Sequence, residues 1–233
     1  MQLLRLLYQQ YTFLFCCLCS LFMTACGIPN LTYLEKPHSV RENSNSEDLS
    51  QRYCQFKTAD TANSAVTGFQ GTEIYYRIYA RKDDCENDRS QIDKYNDDNP
   101  FEAARYLEET KKYYRLETNL ISTRPLIDKH SADVTVRFRL QDYGSSPSDQ
   151  AKLIVNSVQK GIPQRDGRIP PAKRAFNKDN IAVGDNDVQA ASSSGTEIYW
   201  CVNFYAVSYG YTPALTPLYS ELKSLGYILI EKN

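Results

Sequence analysis

The chain has 233 residues and a formal net charge of −1, with 42% hydrophobic and 24% charged residues. This length suits one large domain or two small ones, and the near-neutral charge argues against a strong nucleic-acid binder. The 18 tyrosines favour β-strands, because aromatic side chains fit a pleated, half-buried surface.

The first 25 residues have the composition of a secretory signal peptide. Arg5 is their one charged residue, and residues 11–25 carry no charge at all. An uncharged stretch of about 15 residues is shorter than the roughly 20 that a transmembrane helix needs. A basic start, a short apolar core and small residues before a cut are typical of a signal peptide. We therefore predict that residues 1–25 are removed by cleavage between Ala25 and Cys26.

The residues around this cut match a bacterial lipobox. Thr24 and Ala25 stand directly before Cys26, although Met23 occupies the position where leucine is usual. In lipoproteins the thiol of this cysteine takes a diacylglycerol, and its new amino terminus is then acylated. Two or three acyl chains hold a protein at a membrane without a spanning helix. We expect a lipid-anchored protein of the bacterial cell envelope, with the outer membrane favoured and no cofactor besides the lipid on Cys26.

The remaining cysteines do not form a disulfide framework. Three of the seven leave with the signal peptide and Cys26 carries lipid, so that Cys54, Cys85 and Cys201 remain. Three cysteines allow at most one disulfide and leave one free thiol, and the sequence does not decide whether any two pair. With no Cys-x-x-Cys pair among these three cysteines and only two histidines in the chain, no metal site is predicted.

The mature chain divides into a tether and a folded domain. Residues 26–51 are predicted to be a polar tether, because the segment 36–51 cannot bury enough apolar area to offset its ordering entropy. Residues 52–233 are predicted to be a β-sandwich domain. Its strand segments alternate apolar and polar residues, and they are "GTEIYYRIYA", "DVTVRFRL", "AKLIVNSV", "GTEIYWCVNFYAVSYG" and "GYILIEK". Strands at short spacing indicate an antiparallel sandwich, compatible with an immunoglobulin- or fibronectin-like architecture.

One helix is predicted inside this domain. Asn99 suits the N-cap, Pro100 the first helical position and Glu102 the third, so we expect an α-helix near 100–113. The acidic segment before it is predicted to be a solvated loop. A calcium site in that loop is disfavoured, because the glycine turn and terminal glutamate of an EF-hand are missing.

Two segments echo each other, "GTEIYYRIYA" at 71–80 and "GTEIYW" at 195–200. They indicate either a duplication into two small β domains or two similar strands of one sandwich. The single domain is favoured, since an echo of six residues is far shorter than a repeat unit.

Several segments resemble poorly characterised lipoproteins of spirochaetes, treponemes in particular. They are "TACGIPNLTYLEKP", "GFQGTEIYYRIYA", "NPFEAARYLEETKKYYRL" and "LYSELKSLGYILI". The resemblance runs intermittently from the lipobox to the C-terminus and lies in spacing rather than in catalytic motifs. It implies an acylated envelope protein with a β-rich domain and transfers no active site.

Two groups of side chains are candidates for a binding surface. Exposed tyrosines give large contact area at low entropic cost, and the tyrosines concerned are Tyr75, Tyr79, Tyr199 and Tyr205. The segment 160–178 is the most basic and could bind an acidic partner, a glycan or a phospholipid head group. Its candidate residues are Arg165, Arg168, Lys173 and Arg174. The alternatives are tyrosines that pack with a wet hydroxyl and a basic loop that serves solubility, which is the favoured interpretation of this segment.

No catalytic motif is present, neither Gly-x-Ser-x-Gly nor a phosphate-binding glycine loop. We therefore predict no enzyme, although a glycosidase-like pair of carboxylates stays open. The favoured hypothesis is a binding or adhesion module that contacts the membrane through its acyl chains and engages an unidentified protein or glycan, with no nucleic acid. The alternatives are a periplasm-facing structural or assembly lipoprotein and, less favoured, a carbohydrate-active enzyme or solute-binding protein.

Overall fold

The structure, a computed structural model, describes residues 33–41, 51–166, 174–193 and 197–232. Tyr33–Asn233 form one compact unit. The strands of the described residues are β1 His38–Arg41, β2 Cys54–Lys57, β3 Phe69–Tyr79, β4 Tyr114–Arg115, β5 Glu117–Thr118, β6 Ile127–Asp128, β7 Thr135–Arg139, β8 Lys152–Val155, β9 Val158–Gln159, β10 Pro163–Arg165, β11 Arg174–Ala175, β12 Val188–Gln189, β13 Tyr199–Tyr211, β14 Pro217–Tyr219 and β15 Lys223–Glu231. The helical segments are α1 Asp60–Asn63, α2 Lys82–Asp98, α3 Ala103–Arg105, a π-helical turn Tyr106–Thr110, and 3₁₀ turns Pro147–Asp149 and Lys178–Asn180.

These strands form a mainly antiparallel β fold, as predicted. A five-stranded sheet has the order β1-β2-β7-β8-β9, and a small sheet has the order β11-β10-β5. The larger sheet follows the order β12-β3-β13-β14, with β4 and β6 paired to β3 and β15 paired to β13. The pairing of β12 with β3 is parallel.

The five-stranded and the seven-stranded sheet pack face to face, because alternate residues of both are apolar. Val136 of β7 and Ile74 of β3 are fully buried between them. The rings of Phe138 and Phe204 meet edge to face with their centroids 5.0 Å apart. The Cys54 thiol donates a hydrogen bond to the Leu225 carbonyl at 3.6 Å. This shared core makes the two sheets one sandwich.

The two echoing segments contribute neighbouring strands of the larger sheet. β3 pairs antiparallel with β13 over most of its length, with Tyr75 opposite Tyr205 and Ile78 opposite Val202. Two strands that share one ladder belong to one folding unit, which favours the single-domain interpretation.

The α-helix predicted near 100–113 is present only as a short helical segment, and it is not the long helix of the domain. The long helix is α2, Lys82–Asp98, in the segment that was predicted to be a loop, and it ends with Asn99 as its C-cap. Only Ala103–Arg105 is α-helical within 100–113, followed by the π-helical turn Tyr106–Thr110. A proline often follows a helix C-terminus, because the residue before it avoids helical dihedral angles. The Asn99-Pro100 pair therefore ends one helix instead of starting another.

Helix α2 covers the outer face of the larger sheet and adds a third layer. Its buried residues are Cys85, Asp88, Ile92 and Asn96, whose spacing of three and four places them on one helix face. Cys85 forms a disulfide with Cys201 of β13, with their Cα atoms 6.4 Å apart. Cys54 is buried and takes no part in this disulfide. The structure thus pairs two of the three cysteines that the sequence left undecided.

Part of the predicted tether belongs to the folded unit. Leu34 is 1% exposed, and the backbone of Glu35 bonds to the Asn63 side chain at 2.8 Å. Strand β1 pairs with β2. The tether boundaries 26–51 are therefore wrong for residues 33–41, because a polar segment pairs its backbone even where it buries few side chains. Residues 42–50 lie outside the described residues.

Gly68 is predicted to tolerate no side chain. Its φ of +95° favours glycine, and an added Cβ would lie 2.1 Å from the Tyr211 carbonyl oxygen. Gly68→Ala is expected to lower the free energy of unfolding by about 3 kcal/mol, since left-handed strain and overpacking act together. Gly184 is the matched control, because its φ is +102° but no atom lies within 4 Å of the added Cβ. Gly184→Ala should cost about 1 kcal/mol in urea unfolding, and equal losses would contradict the assigned clash.

Candidate functional site

The tyrosines that were predicted to form an exposed binding surface are mostly buried. Tyr75, Tyr79 and Tyr205 are fully buried, because α2 and the turns after it cover this face of the sheet. Tyr199 is half-buried, with the Arg52 guanidinium 5.9 Å from its ring centroid. The prediction of an exposed binding face is therefore wrong for the first three tyrosines, which pack in the second hydrophobic cluster of the domain.

The hydroxyls of two covered tyrosines belong to a buried chain of hydrogen bonds. The Asn203 amide donates to the Tyr113 hydroxyl at 2.8 Å, which lies 3.0 Å from the Tyr79 hydroxyl. Tyr79 in turn donates to Asp88 of α2, whose other oxygen accepts from Lys111 at 2.5 Å. Burial raises the pKa of Tyr79 and of Tyr113, so that both hydroxyls keep their protons. This chain fastens α2 to the sheet.

A second polar cluster surrounds Arg124 at the other end of the same face. The Arg124 guanidinium donates to Glu73 at 3.0 Å, to the Tyr75 hydroxyl at 2.8 Å and to the Tyr219 hydroxyl at 3.1 Å. Glu108, on the π-helical turn, lies 3.5 Å from the same guanidinium. π-Helical turns are frequent at functional sites. The cluster brings two carboxylates together, but Glu73 has no exposed side-chain surface.

Glu73 is expected to make the stability of the fold depend on pH. Burial raises its pKa, and the nearby charges of Arg124 and Arg115 offset part of the rise. The folded state then holds this proton more tightly than the unfolded chain, so that its stabilising effect is complete at low pH and is lost as the pH rises through the raised pKa. Relative to Glu73→Gln, the wild-type free energy of unfolding should fall between pH 4 and pH 7 in urea titrations. A relative rise would contradict the assignment.

The predicted basic segment does not present a free cationic surface. Arg165 is 3% exposed and donates to Asp187 and Asp185 at 2.9 Å each. Arg174 is half-buried on β11, while Arg168 and Lys173 lie outside the described residues. The prediction is wrong for Arg165, because acids more than a dozen residues further along the chain fold back onto it.

A different basic surface is present on the outward face of the five-stranded sheet. We call it the basic face and define it by Arg41 of β1, Lys57 of β2, Arg137 of β7 and Lys152 of β8. The register places Gln55 between Arg41 and Arg137. The strand sequences HSVR, CQFK, TVRFR, KLIV and VQ contain no acidic residue. Charges from four strands therefore meet on one side of a nearly neutral protein.

The centre of the basic face is the ring of Tyr53. The Arg137 guanidinium lies 3.6 Å from its centroid and that of Arg41 lies 4.7 Å from it. Cations are attracted to an aromatic face, so that one ring holds both guanidinium groups. Burial lowers the pKa of Arg137, and the positive charge of Arg41 lowers it further. A groove of about 190 Å³ beside them is lined by residues that include Arg137, Arg139 and Lys152.

The remaining predictions concern metal, membrane and processing. Among the residues that the structure describes, no three His, Cys, Asp or Glu side chains are grouped to hold a metal ion. None of the described helices combines the length and the apolar character that a membrane span requires. Ala25 and Cys26, the predicted cleavage and lipidation residues, lie outside the described residues.

The fold also contains concave pockets that the tyrosines do not line. One of about 420 Å³ is lined by residues that include Leu140, Phe176, Lys178, Asp179 and Glu231. The pocket combines apolar walls with both signs of charge, and it was not indicated by any sequence motif.

Comparison of the chain with protein-family models, with curated proteins and with solved structures found no match.

Proposed function

We propose that the protein is exported, lipid-anchored in the bacterial cell envelope, and acts there as a binding module. The disulfide between Cys85 and Cys201 is the observation that carries this proposal. Disulfides persist in oxidising compartments such as the bacterial periplasm and are rare in the cytosol. The N-terminal sequence supplies a route of export, and Cys26 supplies the anchor.

Binding is favoured over catalysis by the arrangement of charges. The carboxylate of Glu73 is held by Arg124 inside the fold and does not line an open cleft. The basic face is accessible at Arg41 and Lys57, which are both exposed. An assembled surface of one charge sign recognises partners by complementarity.

The anchor keeps the domain near the membrane. Cys26 and Leu34 are eight residues apart in the sequence, and a chain of that length spans at most about 28 Å. Because Leu34 is buried in the domain, the tether is much shorter than the segment 26–51 predicted from polarity.

Metabolic labelling with a fatty-acid analogue tests the anchor. Label should enter the wild-type protein and the Cys54→Ala control, and Cys26→Ala should lose it. Incorporation into Cys26→Ala would overturn the lipid assignment. In the same cells, thiol alkylation before and after reduction should show Cys85 and Cys201 oxidised, and reduced thiols at both positions would overturn export.

Protease treatment of intact cells separates binding at the surface from a structural role in the periplasm. The adhesion hypothesis predicts cleavage of the domain without lysis. Complete protection until the outer membrane is broken would instead favour the periplasm-facing alternative.

A further inference from the structure

We propose that the basic face is a docking surface for the phosphate groups of anionic membrane phospholipids. The source of the ligand rests on the lipid anchor of the proposed function, whereas the site itself rests on the geometry of Arg41, Lys57, Arg137 and Lys152. Bound in this way, the domain would lie on the membrane with its five-stranded sheet facing the bilayer and its helical layer facing away from it.

The basic face carries an excess of positive charge. The strands of this sheet contribute the four cations of the basic face and no carboxylate. Asp133 stands two residues before β7, and its carboxylate lies 3.0 Å from His38 and accepts from the Thr61 amide at 2.8 Å. Arg137 forms no ion pair and no side-chain hydrogen bond within the described part of the chain. Its guanidinium donors are therefore available to an external anion.

The arginine side chains of the basic face are positioned to bind a phosphate group. Arginine donors form a planar fork that matches phosphate oxygens. The Tyr53 ring, only 3% exposed, contacts both Arg137 and Arg41, so that little side-chain entropy remains to be lost when an anion binds. Lys57 is exposed and Lys152 half-buried beside them. The face thus combines two positioned guanidinium groups with two lysines.

The membrane that holds the acyl chains is the nearest source of phosphate groups for the basic face. Strand β1 is the first strand of the described residues, forms the edge of the five-stranded sheet and carries Arg41. The short covalent connection keeps this edge within reach of the surface that holds the acyl chains. Basic residues close to an anionic bilayer bind its head groups cooperatively with a lipid anchor.

Vesicle binding tests the proposal without the acyl chains. The chain from residue 26 onward, carrying Cys26→Ser, retains the whole compact unit from Tyr33. It should co-sediment with vesicles that contain phosphatidylglycerol and not with pure phosphatidylcholine, and added salt should weaken the binding. Lys57→Gln/Arg137→Gln should lower the partition coefficient about 25-fold, at about fivefold for each charge.

Lys94→Gln/Arg105→Gln is the matched control, because it removes two positive charges from exposed positions elsewhere in the domain. It should change the partition coefficient less than twofold. Lys57→Gln/Lys152→Gln repeats the test without touching the contacts to Tyr53. Equal losses in the control and in either test variant would overturn the proposal, as would equal binding to the two vesicle types.

Two further binding measurements test other ligands of the basic face. Saturable binding of inorganic phosphate to the basic face, with no preference for phosphatidylglycerol, would overturn the lipid source. Glu42, Glu47 and Asp48 stand between β1 and β2 in the sequence. Vesicle binding that appears only after Glu42→Gln/Glu47→Gln/Asp48→Asn would assign the face to the chain's own acidic segment and overturn the proposal. Fatty-acid labelling is independent of all these measurements, so that the anchor and the basic face can fail separately.

Discussion

Asp187→Ala is expected to lower the free energy of unfolding by about 4 kcal/mol, because it leaves a buried arginine without its main partner. Arg165 is 3% exposed and Asp187 is fully buried. The Arg165 guanidinium donates to both carboxylate oxygens of Asp187, and the Tyr76 hydroxyl donates to the same group at 2.8 Å. The substitution therefore removes two acceptors from a buried guanidinium and one from a buried hydroxyl, and leaves Arg165 with Asp185 as a remaining carboxylate partner.

A double-mutant cycle separates the pair from its surroundings. Arg165→Met alone should also destabilise, because it strands Asp187 and removes a donor to Asp185. Arg165→Met/Asp187→Leu should cost at least 2 kcal/mol less than the sum of the losses of Arg165→Met and of Asp187→Leu measured singly, since each single variant leaves a buried charge whose partner the double variant also removes. Denaturant unfolding followed by the fluorescence of Trp200, the single tryptophan, gives all four free energies.

The exposed ion pair of Lys36 and Glu221 is the control. Its atoms are 2.5 Å apart, but the two side chains are 43% and 38% exposed. Lys36→Ala should change the free energy of unfolding by less than about 1 kcal/mol. A loss of less than 1 kcal/mol for Asp187→Ala as well would mean that Arg165 finds water or another acceptor on relaxation.

The strands could be predicted from sequence because their signal is local. "DVTVRFRL" alternates every second residue, and the structure has β7 at Thr135–Arg139 with Val136 and Phe138 buried. The longest strand, β13, is apolar on its second face as well, where Cys201, Tyr205 and Val207 are buried. What covers it could not be predicted, because the helix concerned buries Asp88 and Asn96. Polar residues on a buried helix face hide the apolar periodicity on which helix prediction depends.

Neither candidate binding surface could be located from composition. Net charge is a sum over the chain, while a surface patch depends on which strands are neighbours. Arg41 and Arg137 are 96 residues apart in the sequence and meet only because β2 lies between their strands. Arg165 shows the reverse case, since the most basic segment contributes an arginine whose charge is compensated by Asp187 in the core. The alternation of β7 did indicate that Arg137 points outward, which is the one local signal of the basic face.

Removal of the disulfide is expected to cost about 4 kcal/mol of unfolding free energy. Cys85 and Cys201 are separated by 116 residues, and closing so long a loop restricts the unfolded chain strongly. The variant is Cys85→Ala/Cys201→Ala, measured by denaturant unfolding against the oxidised wild type. Reductant should shift the wild-type curve toward that of the variant and leave the variant curve unchanged.

Cys54→Ala is the matched control for the loss of a buried cysteine. Cys54 is 1% exposed and takes no part in the disulfide, so that the variant should lose only about 1 kcal/mol from the small cavity. It should also keep the full sensitivity to reductant. A wild-type protein that unfolds at the same denaturant concentration with and without reductant would contradict a stabilising disulfide.

The same bond should decide how firmly the helical layer is held. The disulfide joins the first turn of α2 to β13, and further along the helix the Tyr205 hydroxyl donates to Asp93 at 2.8 Å. Reduction releases the first attachment and leaves the second, together with the contact of Tyr79 to Asp88. Amide exchange should therefore accelerate most in the first turns of α2, while β7 and β8 in the other sheet keep the protection set by global unfolding. Uniform acceleration through both sheets would instead show that the disulfide acts on the whole fold and that α2 has no separate opening.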